Sequence, residues 1–194
     1  MKNYNIPIAE TKIVSHYEID NHNFQYPLVL KAVGKDIIHK SELNAVHLNI
    51  KSREELAAKA DEMVKSLHAQ SFIVQPFLTS RLEILIGAFR DPSFGTMIMF
   101  GSGGKYVEVF EDTSMRSAYL SEGDIDDMIN ETKIGQILKG VRGEKPVDLF
   151  KVKSIIKSAA QMMLDEDSIT ECDLNPLIVT TDNKIFAVDV RVMV

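Results

Sequence analysis

Apolar and polar residues in the first third of the chain follow a pattern that predicts two strands, a helix and a further strand. The strands lie at residues 26–33, Val46–Ile50 and Ser71–Pro76. The helix begins at Ser52, because serine followed three residues later by Glu55 forms a capping box that satisfies the free amides of a first helical turn. Its apolar residues recur at the spacing of one helical face: Leu56, Ala60, Met63, Val64 and Leu67.

The rest of the chain predicts a second unit. The segment Asp91-Pro92-Ser93-Phe94-Gly95 favours a turn between two strands, and Asp182-Asn183 favours another. The predicted elements are strands at residues 82–89, 96–101 and 104–110, helices at 124–130, 132–139 and 148–164, and a closing hairpin of 169–180 with 185–190. A hinge at residues 76–80 separates the units, so the sequence predicts an α+β chain with two subdomains, residues 1–76 and 77–194.

Composition changes this picture mainly by excluding functions. A net charge of −6 over 194 residues argues against nucleic acid as a partner, because phosphate backbones bind basic surfaces. The single cysteine, Cys172, excludes an internal disulfide and fits a reducing cytoplasm. Residues 1–10 do not resemble a signal peptide, and the apolar runs are too short to span a membrane. We therefore expect a cytoplasmic protein that does not enter a membrane.

Two basic segments are candidates for phosphate chemistry. Lys31 stands inside an apolar strand, where it either faces a cleft and meets phosphate or simply points to solvent, and exposure is the commoner state of a lysine. His39 and Lys40 lie in a polar connection, where a histidine can accept a phosphoryl group or can be exposed without a role. Gly101-Ser102-Gly103-Gly104 allows backbone amides to approach an anion, and a tight hairpin turn explains it equally well.

The last two predicted strands carry oxygen-bearing side chains that could converge. Asp173 and Asn175 are two residues apart and therefore project from one face of a strand. Asp189 lies on the returning strand, almost opposite them, where an odd loop length or a bulge would align it with Asn175. Three such side chains suit Mg²⁺, which prefers oxygen ligands and leaves positions for phosphates. The alternative is a set of polar residues on a half-exposed hairpin.

Together these segments resemble the ATP-grasp domain (beta subunit) of ADP-forming acyl-CoA (acetyl-CoA) synthetases. The resemblance runs from about Tyr4 to the C-terminus. It is carried by YPLVLKAVGKDIIHKSE at 26–42, EILIGAFRDPSFGTMIMFGSGGKYVEVFED at 83–112, GVRGEKPVD at 140–148 and ITECDLNPLIV with FAVDVR at 169–179 and 186–191. It implies an ATP-grasp fold, in which two α+β subdomains hold the nucleotide between them.

The resemblance also implies roles for individual residues. Lys31 is expected to hold nucleotide phosphates, with Lys40 and Glu83 among the nucleotide-binding residues, and His39 to relay a phosphoryl group as phosphohistidine. The remaining expected contacts are Gln75, Pro76 and Phe77 beside adenine through backbone hydrogen bonds, and Asn175 and Asp189 as Mg²⁺ ligands supported by Asp173. Glu108, Arg116 and Arg142 lie in matching motifs without an assigned role.

The implied reaction converts acyl-CoA, ADP and phosphate into carboxylate, CoA and ATP, with ATP/ADP and Mg²⁺ as cofactors. It requires a CoA-binding subunit or domain that this chain lacks, so we expect a hetero-oligomer. The family usually has an additional N-terminal helix before the point where this chain starts. Two loop glycines of the family are replaced by Asn44 and Ala45, and alanine tolerates a positive φ poorly. A non-catalytic or regulatory ATP-grasp module, for example one fused to an acyltransferase, and a purely structural partner domain are the alternatives.

Overall fold

In a computed structural model, which describes residues 1–21, 23–34, 44–105 and 107–194, the chain divides into two compact units. The smaller unit is Ala9–Leu78, and the larger unit joins Met1–Ile8 to Thr79–Val194. The predicted subdomains differ from these units at the start of the chain. The first eight residues group with the larger unit because Ile6 packs in its core and the Ala187 amide donates to the Pro7 carbonyl at 2.8 Å.

The smaller unit is an antiparallel sheet with one helix packed against it. Its elements are β1 (Lys12–Ser15), β2 (Leu28–Val33), β3 (Val46–Ile50), α1 (Arg53–Leu67) and β4 (Ser71–Pro76). The strand order is β1-β4-β2-β3, so the predicted β-β-α-β unit is confirmed and gains β1 at one edge. The core lies between the sheet and the apolar face of α1, where Leu56, Ala60 and Met63 are buried as predicted.

The predicted cap of α1 is confirmed in part. The Ser52 hydroxyl accepts the Glu55 amide at 3.2 Å. The Glu55 carboxylate accepts the amide of Lys51 at 2.8 Å, one residue before the cap. Both contacts satisfy backbone donors at the helix start, which fixes where β3 ends and the helix begins.

The larger unit is a sheet of six strands covered by helices. Its elements are β5 (Ser80–Asp91), β6 (Gly95–Ser102), α2 (Val107–Phe110), β7 (Thr113–Ser117), α3 (Glu122–Glu131), α4 (Lys133–Leu138), α5 (Leu149–Asp165), β8 (Glu171–Thr180), β9 (Ile185–Ala187) and β10 (Val190–Met193). The order is β10-β8-β5-β6-β7, with β9 also paired to β8. The predicted β5, β6 and three helices are confirmed, and α3, α4 and α5 supply much of the core.

Two predictions for this unit are wrong. In the segment predicted as a strand at residues 104–110, Gly104 and Lys105 instead lie in a bend and a turn, and Val107–Phe110 form the single helical turn α2, in which Val109 and Phe110 are largely exposed. The strand that pairs with β6 is β7, one segment later. The returning strand predicted at residues 185–190 is interrupted and forms β9 and β10.

Arg90, near the end of β5, ties the end of α5 to the sheet. Its guanidinium donates to the carbonyls of Met163 at 2.6 Å, Ile169 at 2.8 Å and Glu166 at 3.1 Å. These are carbonyls at and just beyond the helix end, where intrahelical partners run out. The contacts hold the segment that leads from α5 into β8.

Asp112 ties β6 to the start of α4. Its carboxylate accepts the Ser102 hydroxyl at 2.6 Å and the amides of Lys133 at 2.6 Å and Ile134 at 2.8 Å. Burial by itself raises the pKa of this carboxyl, but the three hydrogen bonds outweigh burial and the net pKa is lowered. No helix within the described ranges is both long enough and apolar enough to cross a membrane.

Candidate functional site

Strand β8 divides its side chains between the core and the opposite face of the sheet. Cys172 and Leu174 are buried in the core of the larger unit, whereas Asp173 and Asn175 are half-buried on the other face. Burial raises the pKa of the Cys172 thiol to about 11, so it stays protonated at neutral pH. The alternation is the ordinary consequence of a two-residue strand repeat, and it places a carboxylate and a carboxamide side by side.

The register between β8 and the two returning strands aligns Asn175 with Asp189. Leu174 pairs with Val190, and Leu177 pairs with Ala187, so Asn175 faces Asp189 across the gap between β9 and β10. The Asn175 amide donates to the Asp189 carbonyl at 3.2 Å. On the other side of β8 the register with β5 shifts at the same place, so Asn175 and Pro176 form a bulge.

The carboxylates at this place repel one another. The pKa of Asp173 is raised, first by burial and then by the negative charges of Glu171 and Asp189, while Arg191 opposes the shift. Asp189 is itself half-buried. An excess of negative charge on a partly buried face is the electrostatic condition that a bound cation relieves.

Oxygen is the donor atom that Asp173, Asn175 and Asp189 have in common, and this donor set fits Mg²⁺. Within the described part of the chain, no group of three histidine, cysteine, aspartate or glutamate side chains could hold a metal. The side chains of the candidate site are two carboxylates and one carboxamide. They leave coordination positions for phosphate oxygens and water. Asp173 and Asn175 also line a cavity of about 550 Å³, together with Gly87 and Met99.

The glycine segment after β6 packs against this set. The Gly103 amide donates to the Glu83 carbonyl at 2.9 Å, and the Gly104 amide donates to Asn175 Oδ1 at 2.9 Å. Both amides therefore have protein acceptors. Of the two interpretations of this segment, these contacts favour a structural turn over an anion cradle. Glu83 lies against Gly104, since a Cβ on that glycine would come within 1.9 Å of Glu83 Oε2.

In the smaller unit, Lys31 is buried. It is 6% exposed in the middle of β2, between Ile73 of β4 and Val46 of β3, so the interpretation as a solvent-facing strand lysine is wrong. Its neighbours Leu30 and Ala32 point into the core on the other face. A lysine held in a buried position on the face away from the core is unusual and fits an ammonium placed for a ligand.

Gln75, Pro76 and Phe77 lie together along a cleft of about 410 Å³ in the same unit. The Gln75 side chain is buried and donates to the Thr11 hydroxyl at 2.9 Å. The Phe77 amide donates to the Pro27 carbonyl at 2.9 Å, and Pro76 has no amide hydrogen. Neither residue therefore offers an N–H to a base, and any backbone contact of these two residues with adenine uses a carbonyl.

The predicted phosphoryl relay His39 and the neighbouring Lys40 lie outside the described residues. Asn44 takes a positive φ of 53°, whereas Ala45 is buried and is not among the residues with a positive φ. The substitution of the two family glycines therefore produces no φ conflict at Ala45.

Arg116 joins two elements of the larger unit. It pairs with the carboxylate of Glu131, which links β7 to α3 and lowers the pKa of that glutamate. Sequence reasoning missed Asp112 and Arg90, which hold the surrounding elements. Their signal was weak, because an aspartate after a strand and an arginine before a turn are also common surface residues.

The decisive observation on identity is a match to the ATP-grasp domain model over residues 1–194. The chain belongs to the ATP-grasp family. This ATP-grasp chain is 36% identical to the beta subunit of the ADP-forming acetate–CoA ligase I of Pyrococcus furiosus, over 100% of this chain and 87% of that subunit. It is 36% identical to the ADP-forming acetate–CoA ligase I of Archaeoglobus fulgidus, over 78% of this chain but only 23% of that longer protein.

Solved structures of acetyl-coenzyme A synthetases are also similar to this chain. The dinucleotide forming acetyl-coenzyme A synthetase 1 of Candidatus Korarchaeum cryptofilum, in complex with coenzyme A and Ca-AMPCP, is 35% identical with a TM-score of 0.90 and covers 100% of this chain and 88% of that one. A second structure of that protein, with Mg-AMPPCP and a phosphohistidine segment pointing towards the nucleotide binding site, is 36% identical with a TM-score of 0.85, covering 100% of this chain and 87% of that chain. The expected ATP-grasp fold and the homology to beta subunits of ADP-forming acetate–CoA ligases are confirmed.

Proposed function

We propose that this chain is the nucleotide-binding part of an ADP-forming acyl-CoA ligase and binds ATP or ADP with Mg²⁺. The observation that carries the proposal is the register of β8 with β9 and β10, which sets Asn175 opposite Asp189, while Asn175 shares a strand face with Asp173. A divalent ion bound there would neutralise phosphate charge. The burial of Asp173 and the negative charges of Glu171 and Asp189, which together raise its pKa, support this assignment.

The residues of the chain would act mainly by positioning and charge. Lys31 would hold phosphate oxygens, and its fixed place in β2 means that little rotamer freedom is lost when a nucleotide binds. The segment from Gln75 to Phe77 would contact the base, and Glu83 and Lys40 would complete the nucleotide contacts. His39 would accept the phosphoryl group from ATP as ADP leaves, and return it in the reverse direction.

The complete reaction interconverts acyl-CoA, ADP and phosphate with carboxylate, CoA and ATP. We propose that a CoA-binding subunit or domain supplies the rest of the active enzyme, as a hetero-oligomer in the cytoplasm. The "subunit beta" name of the Pyrococcus relative supports a partner subunit. A regulatory ATP-grasp module is the alternative, and it would bind nucleotide without phosphoryl transfer or would not bind it.

Binding is tested by thermal unfolding. At a ligand concentration about 100 times the Kd, Mg-ATP is expected to raise Tm by roughly 5–10 °C, because ligand that binds only the folded state stabilises it. Asp189→Ala is expected to remove at least half of this shift. Asp127→Ala, a change at an exposed aspartate on α3, serves as the matched control and should keep it. A wild-type protein with no shift at millimolar Mg-ATP and Mg-ADP would refute the proposed function.

Asp173→Asn is expected to change stability and binding in opposite directions. The free protein should melt at a higher temperature, because the substitution removes a carboxylate whose charged form is disfavoured by burial, Glu171 and Asp189. The increase in Tm caused by Mg-ATP should become smaller, because one oxygen donor has lost its charge. Both values come from melting curves with and without Mg-ATP. A lower Tm in the free variant would show that Asp173 has a mainly structural role.

A further inference from the structure

We propose that the backbone amide of Gly104 is a positioning group for the divalent cation, because it selects the orientation of the Asn175 carboxamide. The inference rests on the proposed function, since it states what prepares one member of that donor set. It also assigns a use to the glycine segment after β6.

The contact itself distinguishes the two ends of the carboxamide. The Gly104 N–H can only donate, and it donates to Asn175 Oδ1 at 2.9 Å in a partly buried place. The reversed carboxamide would set its NH₂ group against this N–H, with two donors facing each other and no acceptor. A carboxamide oxygen has two lone pairs, so one can accept the Gly104 amide while the other remains for a cation.

The Asn175 side chain needs such a partner. The terminal torsion of asparagine is broad and roughly two-fold, so the backbone of a residue does not decide which way its carboxamide faces. The backbone of Asn175 is held separately, by the donation of its amide to the Asp189 carbonyl at 3.2 Å. Among the described contacts of the Asn175 side chain, the hydrogen bond from Gly104 is the one that distinguishes the carboxamide oxygen from the carboxamide nitrogen.

Gly104 is in turn fixed by its neighbours. The Ser102 amide donates to the Asp112 carbonyl at 2.9 Å, and the Gly103 amide donates to the Glu83 carbonyl at 2.9 Å. Gly104 has a φ of +86°, and a Cβ would come within 1.9 Å of Glu83 Oε2. Both facts require glycine, so the N–H reaches Asn175 from a place that no other residue could occupy without movement.

The experiment measures the Mg²⁺ concentration that gives half of the maximal Tm increase at a fixed ADP concentration. Gly104→Ala keeps the N–H but should displace it, because the new Cβ meets Glu83 Oε2. The midpoint is expected to rise roughly tenfold, which is the usual effect of disturbing a group that orients a metal ligand. Gly143→Ala is the matched control, because Gly143 has a φ of +85° with nothing near its would-be Cβ. Its midpoint should stay at the wild-type value.

A second background separates orientation from general damage. Asn175→Asp replaces the carboxamide by a carboxylate, whose two oxygens are equivalent, so orientation no longer matters. In the Asn175→Asp background, Gly104→Ala should change the midpoint by less than about threefold. An equal increase of the Mg²⁺ midpoint in both backgrounds would overturn the inference. It would mean that Gly104→Ala acts by displacing the backbone around the site, which affects a carboxamide and a carboxylate alike.

The outcomes for the two proposals can be told apart. If wild-type protein shows no Mg²⁺-dependent shift, the proposed function fails. If wild type and Gly143→Ala respond and Gly104→Ala has the same midpoint as both, only the role of Gly104 is rejected. Should Gly104→Ala not fold, Glu83→Ala is compared with Glu83→Ala/Gly104→Ala, because removal of the glutamate relieves the 1.9 Å contact.

Discussion

Asp112→Asn is expected to lower the free energy of unfolding by about 3 kcal/mol, because buried charge-assisted hydrogen bonds are costly to break. The carboxylate uses both oxygens, one for the Lys133 amide and the other for the Ile134 amide and the Ser102 hydroxyl. Asparagine has a single acceptor oxygen, so its NH₂ must face at least one backbone N–H. The start of α4 then contains an unpaired buried donor.

Urea unfolding at neutral pH measures this effect. The control is Asp148→Asn, which changes an exposed aspartate that caps α5 by accepting the Phe150 amide at 3.1 Å. Asparagine is as good as aspartate at such a cap, so the control should lose less than about 0.5 kcal/mol. Equal losses of unfolding free energy in the two variants would mean that the buried hydrogen bonds of Asp112 stabilise the fold no more than an exposed helix cap does.

The same carboxylate predicts a pH dependence of known sign. Its pKa is lower in the folded protein than the ordinary value of 3.8, so the folded state favours the charged form. The resulting stabilisation is complete above the ordinary pKa and is lost as pH falls below it, through the folded pKa. Wild-type stability should therefore decline more steeply than that of Asp112→Asn below about pH 4. Urea unfolding of both proteins between pH 2 and 6 compares the two slopes.

Lys31→Met is expected to weaken Mg-ATP binding by roughly 30-fold or more, because a hydrogen bond to a charged group contributes about 2 kcal/mol. Methionine has a similar length and shape and no charge. The substitution therefore removes the ammonium while keeping much of the side-chain volume in the middle of β2. Isothermal titration with the Mg-bound nucleotide gives the two dissociation constants.

The control for this prediction is Lys65→Met. Lys65 is also a lysine of the smaller unit, but it is exposed in the last turn of α1. Its loss should change the dissociation constant by less than threefold if Lys31 is the phosphate-binding lysine. If Lys65→Met weakens binding as strongly as Lys31→Met, the assignment of Lys31 is wrong.

The parts of the fold that could be predicted are those in which local chemistry and burial agree. The strand Val46–Ile50 and the helix after Ser52 combine apolar spacing with a cap, and both appear as expected. The strand β7 could not be found in this way, because Thr113–Ser117 is mostly polar and is paired by its neighbour β6. The segment before it alternates like a strand, yet its apolar residues Val109 and Phe110 are largely exposed.

The candidate site shows the same limit. The two-residue spacing of Asp173 and Asn175 was enough to predict a shared face. The alignment of Asn175 with Asp189 depended on an odd loop length in the hairpin, which spacing alone could not decide. The hydrogen bond from Gly104 to Asn175 joins residues far apart in the chain, and no local sequence pattern predicts such a contact.

The alternation along β8 also constrains how this segment can change in evolution. Cys172 and Leu174 fill the core, and Asp173 and Asn175 occupy the opposite face. Insertion or deletion of one residue between Glu171 and Asn175 would exchange these faces, burying a carboxylate and exposing a leucine. Length variation among homologues should therefore avoid this stretch and accumulate in the hairpin loop at Asp182 and Asn183, where an added residue lies outside the paired strands.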